Sequence, residues 1–131
     1  MNRVVHFEIQ ADDFERVKKF YGEVFGWEFP KWMDEPEYWG VMTAPQDSTE
    51  KGINGGLVKR PAKVPSPKQG TNAFVCTVQV EDFDKTAEKI EKAGGRVAMP
   101  KYAIPGMAWQ GYFLDTEGNT FGLHQADTSA K

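Results

Sequence analysis

Cysteine and histidine are scarce in this 131-residue chain, which has one cysteine and two histidines. A single cysteine, Cys76, excludes an intramolecular disulfide and a thiolate zinc cluster within one chain. Strand alternation places Cys76 on an apolar face with Phe74 and Val78. This pattern predicts a small buried residue and not a nucleophile.

An excess of one charge is also lacking, because 16 Lys and Arg residues oppose 19 Asp and Glu residues. Mixed signs without a basic stripe argue against a nucleic acid partner. The apolar runs are shorter than the ~20 residues that cross a bilayer, and the N-terminus lacks the apolar segment of a signal peptide. A hydrophobic content of 40% excludes a disordered chain. We therefore expect a soluble, cytoplasmic protein without a membrane partner.

The chain contains an internal sequence repeat. The segment VVHFEIQADDFERVKKFYGEVFGWEF aligns with AFVCTVQVEDFDKTAEKIEKAGGRVA, and each copy is a strand followed by an acidic helix start and an amphipathic helix. Asp12 and Glu15 resemble a capping box, while Gly26 and the pair Gly94-Gly95 suit helix ends. Three short apolar runs follow each helix and read as strands. The repeat predicts two β-α-β-β-β modules.

The fold class is therefore predicted to be α+β, with both modules forming one domain over residues 1–127. Module one covers 3–60, and module two covers 72–126. Between them, the proline- and lysine-rich stretch 61–71 reads as an exposed linker. A unit of about sixty residues is marginal alone, so the two sheets are expected to bury their inner faces together.

The doubled pattern resembles the vicinal oxygen chelate superfamily of glyoxalases, bleomycin resistance proteins and extradiol dioxygenases. The segments HFEIQADDFERVKKFYGEVFGWEF and GYFLDTEGNTFGLHQ carry the likeness, and INGGL and AIPGMAW have counterparts in small proteins related to lactoylglutathione lyase. The resemblance implies eight strands curving round a cavity, one divalent metal held there in the enzymes, and a homodimer.

The family takes its metal ligands from the first and last strands of each module. Carried onto this chain, these positions fall at His6, Val75, Gly56 and Gly122, of which only the histidine is a ligand type. Three protein ligands are the usual minimum for a catalytic metal, so the four-ligand site of the family is incomplete.

Two neighbouring side chains keep a weaker metal hypothesis open. Glu8 shares a strand face with His6, and His124 shares one with Gly122. His6, Glu8 and His124 could form a set of two histidines and one carboxylate. Without a metal, His6 could act as a general base with Glu8 fixing its tautomer. A cavity-lining or surface role without chemistry is the alternative for each of the three.

Aromatic and apolar residues are candidates for ligand binding. Trp39 and Trp109 lie on comparable middle strands and could stack on a flat ligand, although such rings more often pack in a core. The loop containing Tyr102 and Met107 could cover a cavity or contact a partner subunit.

Two functions are compatible with the sequence. The first is a lyase or isomerase acting on a small oxygenated molecule, with His6 and Glu8 as its catalytic residues. The second is a non-catalytic protein that sequesters an aromatic or drug-like compound, such as an antibiotic. The incomplete metal positions disfavour a metal-dependent glyoxalase I, and fold alone does not choose between the two functions.

Overall fold

The computed structural model describes residues 3–71 and 73–131, and within them the chain forms two compact units, residues 1–63 and 64–131. The boundary lies inside the predicted linker. Asn72, the first residue of the predicted module two, lies outside the described residues. We refer to the two units as the first and second modules. Their elements are β1 (Glu8–Ala11), α1 (Phe14–Phe25), β2 (Lys31–Met33), β3 (Tyr38–Val41) and β4 (Gly55–Lys59), then β5 (Thr77–Gln79), α2 (Phe83–Lys92), β6 (Arg96–Ile104), β7 (Ala108–Leu114) and β8 (Thr120–Ala126).

Each module has the predicted β-α-β-β-β order, and the α+β fold class is confirmed. Both sheets are mixed, with strand orders β1-β4-β3-β2 and β5-β8-β7-β6. The first strand of each module pairs in parallel with the last strand, and the other neighbours are antiparallel. Glu8 lies opposite Gly56, and Thr77 lies opposite Gly122. This shared register confirms the internal repeat.

Both helices begin at an aspartate N-cap. Asp13 accepts a hydrogen bond from the Arg16 backbone N–H at 3.0 Å, and Asp82 accepts one from Lys85 at 3.0 Å. The predicted capping box at Asp12 was therefore one residue too early, because extended backbone continues to Asp13. Gly26 ends α1 with φ 72°, a conformation that glycine adopts without steric cost.

The first strand of each module is shorter than alternation predicted. β1 begins at Glu8, which pairs with Gly56, and the Phe7 carbonyl just before it accepts a hydrogen bond from the Gly56 N–H at 2.9 Å. Cys76 directly precedes β5 and its carbonyl accepts from the Gly122 N–H at 2.9 Å; it is exposed, which corrects the buried position predicted for it. His6 therefore lies just before β1, not within it.

Each sheet has one face covered by its own helix. In the first module, Ile9, Leu57 and Val41 are buried, and Lys18 of α1 reaches over Trp39, which lies opposite Leu57. In the second module, Phe83 of α2 packs against Phe113. We call the opposite surface of each sheet its helix-free face.

Residues 115–119 form the turn before β8. Asp115 is buried, and its Oδ1 atom accepts hydrogen bonds from the backbone N–H groups of Glu117 at 2.8 Å and Asn119 at 2.9 Å. Gly118 in this turn has φ 79°. An aspartate that satisfies the turn backbone in this way fixes the entry into the last strand.

Candidate functional site

A hydroxyl group joins the two predicted catalytic residues on the helix-free face of the first module. Tyr38 Oη lies 3.0 Å from His6 Nε2 and donates a hydrogen bond of 2.8 Å to Glu8 Oε2. We call these three residues the His6–Tyr38–Glu8 cluster. His6 comes from the segment before β1, Glu8 from β1 and Tyr38 from β3.

The order of donors and acceptors fixes the state of the histidine. A tyrosine hydroxyl has one proton, and in this cluster it is directed to the Glu8 carboxylate. The Tyr38 oxygen can then only accept from His6, so Nε2 of the imidazole carries a hydrogen. In the neutral ring, Nδ1 is consequently the nitrogen with a free lone pair. The cluster leaves His6 able to take up a proton at Nδ1.

Gly56 provides the space that Tyr38 occupies. A Cβ atom built at Gly56 would overlap the Tyr38 hydroxyl and ring. Burial, followed by the hydrogen bond to Glu8 and the carboxylate charge, raises the pKa of Tyr38 to about 12. The hydroxyl therefore keeps its proton at neutral pH, and it remains a donor to Glu8.

An exposed tryptophan extends the same surface. The Trp32 ring lies over Gly40, where an added Cβ would come within 2.5 Å of the ring. Its ring centroid is 6.1 Å from that of Tyr38, and the two ring planes differ by 20°. Trp32 is nevertheless 50% exposed. The helix-free face of the first module thus places a flat aromatic surface beside a hydrogen-bonding cluster.

The second module has a corresponding polar group around Gly122. A Cβ atom at Gly122 would lie 2.6 Å from Thr77 Oγ1 and 3.0 Å from Gln110 Nε2. Gln110 is buried, and its Oε1 atom lies 3.0 Å from His124 Nδ1. Because an amide oxygen only accepts, Nδ1 donates, and the free lone pair of neutral His124 is on Nε2.

Register shows that the two polar groups are equivalent. Tyr38 lies opposite Val58, two residues beyond Gly56, and Gln110 lies opposite His124, two residues beyond Gly122. In both modules a side chain from the adjacent strand therefore leans over the glycine of the last strand. The position of this side chain is the same in both modules, but it is a tyrosine in the first and a glutamine in the second.

Trp39 lies on the helix-covered face of the first sheet. Lys18 Nζ is 3.5 Å from the centroid of its ring, and the indole N–H donates to Glu37 at 3.0 Å. Cation–π contact with a helix residue is a packing interaction within the module. The structure places Trp39 opposite the His6–Tyr38–Glu8 face, and its predicted role in ligand binding stays a prediction.

Trp109 lies on the corresponding face of the second sheet. Its indole N–H donates to Asp127 at 2.9 Å, and Lys101 Nζ is 4.6 Å from its ring centroid. Hydrogen bonds from Ser129 and from Trp109 lower the pKa of Asp127. The Asp127 carboxylate thereby connects the segment after β8 to strand β7.

The two loop candidates are in different environments. Tyr102 lies opposite Gln110 on the helix-free face of the second sheet, and burial together with a hydrogen bond to Tyr112 raises its pKa. Met107 is 65% exposed in the turn between β6 and β7, where its backbone oxygen accepts from Asp127 at 2.8 Å. Tyr102 alone of the four aromatic and apolar candidates lies on a helix-free face.

The donor set does not fit the four-ligand metal site of the family. Gly56 and Gly122 have no side chain, and the space above each is filled. A metal ion bound to both His6 Nε2 and Glu8 would lie about 2.0–2.2 Å from each, in the space that Tyr38 Oη takes. Across residues 3–71 and 73–131, no three His, Cys, Asp or Glu side chains form a group that could hold a metal ion. Metal binding by His6, Glu8 and His124 stays a prediction.

Sequence reasoning missed Tyr38, Trp32 and Gln110. Glycines within strands were the available signal, because a glycine away from a turn often marks the close approach of another group. Gly40 and Gly56 lie opposite each other in β3 and β4, which indicates that large side chains cover them. Which side chains do so depends on strand register, and the sequence alone does not give it.

Family comparison agrees with this architecture. The model of the Glyoxalase/Bleomycin resistance protein/Dioxygenase superfamily matches residues 3–123, and the chain belongs to this superfamily. A glyoxylase-like domain-containing protein of Didymella fabae is 31% identical over 120 residues, which are 88% of each chain. A candidate glyoxylase of Mycobacterium bovis named CFP32 is 28% identical over 122 residues, 92% of this chain. The matched part is only 44% of that longer protein.

Solved structures share the fold. A fosfomycin resistance protein, FosX of Listeria monocytogenes, matches with a TM-score of 0.72 and 16% identity over 97% of this chain and 93% of its own. A variant of the same protein was solved with Mn(II) and a dihydroxypropylphosphonic acid, and it matches with a TM-score of 0.70. At this level of identity the likeness shows the fold alone. In the described part of the chain, no helix has the length and apolar character needed to span a membrane.

Proposed function

We propose that the protein binds a small oxygenated molecule on the helix-free face of its first module and catalyses a lyase or isomerase step by proton transfer, without requiring a metal. The observation that carries this proposal is the Tyr38 hydroxyl held between His6 and Glu8. The cluster combines a proton acceptor with a hydrogen-bond network in one exposed position. A homodimer and a cytoplasmic location remain predictions from the sequence.

His6 is the proposed base. Its Nδ1 atom takes a proton from a carbon next to a carbonyl group or from a hydroxyl group of the ligand. The imidazolium that forms donates a hydrogen bond from Nε2 to the Tyr38 hydroxyl, which itself donates to the Glu8 carboxylate. The negative charge of Glu8 thus stabilises the positive ring through the intervening hydroxyl. A positioned base of this kind contributes about 10²- to 10⁴-fold to rate.

Tyr38 is the proposed positioning residue. It contacts the base and the carboxylate and holds the imidazole in the Nε2–H tautomer. Because its pKa is about 12, Tyr38 is protonated at neutral pH and does not act as the base. Tyr38→Phe should therefore lower the rate by less than His6→Ala, because the base remains while its orientation is lost.

The reaction of methylglyoxal with glutathione supplies a test. The adduct of the two is isomerised to a thioester by proton transfer between adjacent carbons, and the product is followed by ultraviolet absorbance. Chelator-treated protein, with its metal content measured by elemental analysis, should give a rate above buffer. His6→Ala should reduce kcat by about 100-fold, as expected for loss of a general base.

Lys51→Ala, a substitution at an exposed residue of the first module, is the matched control and should keep the full rate. A rate that appears only after nickel, zinc or iron is added would contradict the metal-independent mechanism. No rate above buffer with the chelator-treated protein and with the metals would leave the catalytic proposal without support for this substrate class.

A second candidate function is non-catalytic sequestration of a drug-like compound. The half-exposed ring of Trp32 favours it, because an aromatic surface open to solvent provides stacking without any reaction. Several structural neighbours are fosfomycin resistance proteins. Calorimetric titration with fosfomycin and with bleomycin, followed by recovery of the unchanged compound, would support this function. Chemical conversion of the bound compound would exclude it.

A further inference from the structure

Trp32 and Tyr38 present a flat aromatic surface whose purpose the fold alone does not explain. The two rings are nearly parallel, with planes 20° apart, and each lies over a glycine of the sheet. Trp32 is 50% exposed, so about half of its surface is not used in packing. Two strand glycines, Gly40 and Gly56, are needed to accommodate the rings in this position.

The surface ends at the hydrogen-bonding cluster. The Tyr38 ring belongs to the aromatic surface, and its hydroxyl belongs to the cluster with His6 and Glu8. A ligand that stacks on the rings therefore brings any polar substituent at its edge to the cluster. Tyr38 therefore favours a ligand that has both an apolar face and a polar substituent.

We propose that Trp32 is a specificity-determining residue and that the ligand is a planar conjugated molecule with an oxygen substituent, such as a hydroxylated or carbonyl-bearing aromatic compound. This inference rests on the proposed function only in placing the ligand on the helix-free face of the first module. It does not depend on whether the ligand reacts.

A cationic ligand fits the arrangement less well. Cation-binding aromatic cages surround the charge with ring faces on several sides. Here the two rings are almost parallel, with centroids 6.1 Å apart, so they do not enclose a charge on several sides.

The chosen probes are 2-naphthol and 2-decalol, which share a carbon skeleton and carry one hydroxyl group at the same position. Only 2-naphthol is planar and has a π-face, so the part of its preference that Trp32→Leu removes measures stacking separately from apolar burial and from the difference between the two hydroxyl groups. Titration calorimetry on the full chain should show 2-naphthol binding about 5-fold or more tightly than 2-decalol. Choline serves as the cationic probe and should bind more weakly than either.

Variants at one position identify the residue responsible. Trp32→Leu keeps an apolar side chain and should abolish the preference, whereas Trp32→Phe keeps a ring and should retain most of it. Met33→Leu, at the next and equally exposed residue of β2, is the matched control and should leave the preference unchanged. Since residue 32 is half exposed, these substitutions should fold, and circular dichroism verifies this.

Equal affinity for the two probes, absence of 2-naphthol binding up to its solubility limit, or an undiminished preference in Trp32→Leu would each overturn the inference. Tighter binding of choline that is lost in Trp32→Leu would overturn it in favour of a cation site. A stacking preference without catalysis would refute only the proposed reaction, and catalysis without the preference would refute only the inference about Trp32.

Discussion

Gly56→Ala should disturb the His6–Tyr38–Glu8 cluster through a single added methyl group. The new Cβ atom would overlap the Tyr38 hydroxyl and ring, so the tyrosine has to move away from His6 and Glu8. Overpacking of this kind costs about 1–3 kcal/mol. Replacing glycine by alanine within a strand returns about 0.5–1 kcal/mol.

The two ranges leave a net loss of about 0–2.5 kcal/mol in the free energy of unfolding, and their midpoints give about 1 kcal/mol. The hydrogen bonds of Tyr38 add little to this figure, because His6 and Glu8 are exposed and water replaces the lost partner. Urea denaturation at equilibrium, fitted with one common m-value, measures the change.

A double-mutant cycle tests the reason for the loss. In a Tyr38→Ala background the obstructing ring is gone, so Gly56→Ala should become neutral or slightly stabilising. The coupling between the two positions should then be about 2 kcal/mol. Gly52→Ala is the control, because a Cβ atom there has no other atom within 4 Å and should show no coupling to Tyr38. A coupling below about 0.5 kcal/mol would refute the reasoning.

Helix ends and the tyrosine hydroxyl allow three further measurements. Asp82→Ala should lower the urea midpoint at pH 7 more than Glu81→Ala does. The backbone hydrogen bond from Lys85 lowers the pKa of Asp82, so the stabilising effect of the Asp82 carboxylate is present at neutral pH and is lost as the pH falls through the folded-state pKa. If Asp82→Ala lowered the urea midpoint equally at all pH values, this explanation would be contradicted. Gly26→Ala should cost about 1 kcal/mol in urea unfolding because φ is 72° with open space around it, and an unchanged midpoint would argue against that conformation. Ultraviolet titration should show a tyrosine ionising at about pH 12 that is absent in Tyr38→Phe, and the stabilising effect of the protonated Tyr38 should be complete below about pH 10 and lost as the pH rises through 12.

Local patterns in the sequence were sufficient to predict the order of the helices and strands. Helix α1 follows from its apolar spacing, and Gly26 ends it as predicted. The duplicated segments gave the same element order twice, since each copy contains its own cap, helix and strands. Errors lay at the ends of elements: the cap is Asp13 and not Asp12, and β1 begins at Glu8, so that His6 precedes the strand.

The site was only partly accessible from the sequence. Strand alternation placed Glu8 on the same face as His6, and the family resemblance made His6 a candidate site residue. Trp39 was a candidate for stacking on a ligand, with core packing as the alternative, and in the structure Lys18 of α1 lies over its ring. Alternation tells which residues share a face, but not which of the two faces the helix covers.

The sequence by itself determined the repeat and the α+β class, because both depend on residue types at fixed spacings along one chain. Only the tertiary structure revealed that Tyr38 fills the space over Gly56 and joins His6 to Glu8. Tyr38 lies 32 positions from His6 and 30 from Glu8, and the register of three strands brings them together. A hydrogen-bond network depends on distances of about 3 Å, and no periodicity in a sequence specifies contacts on that scale.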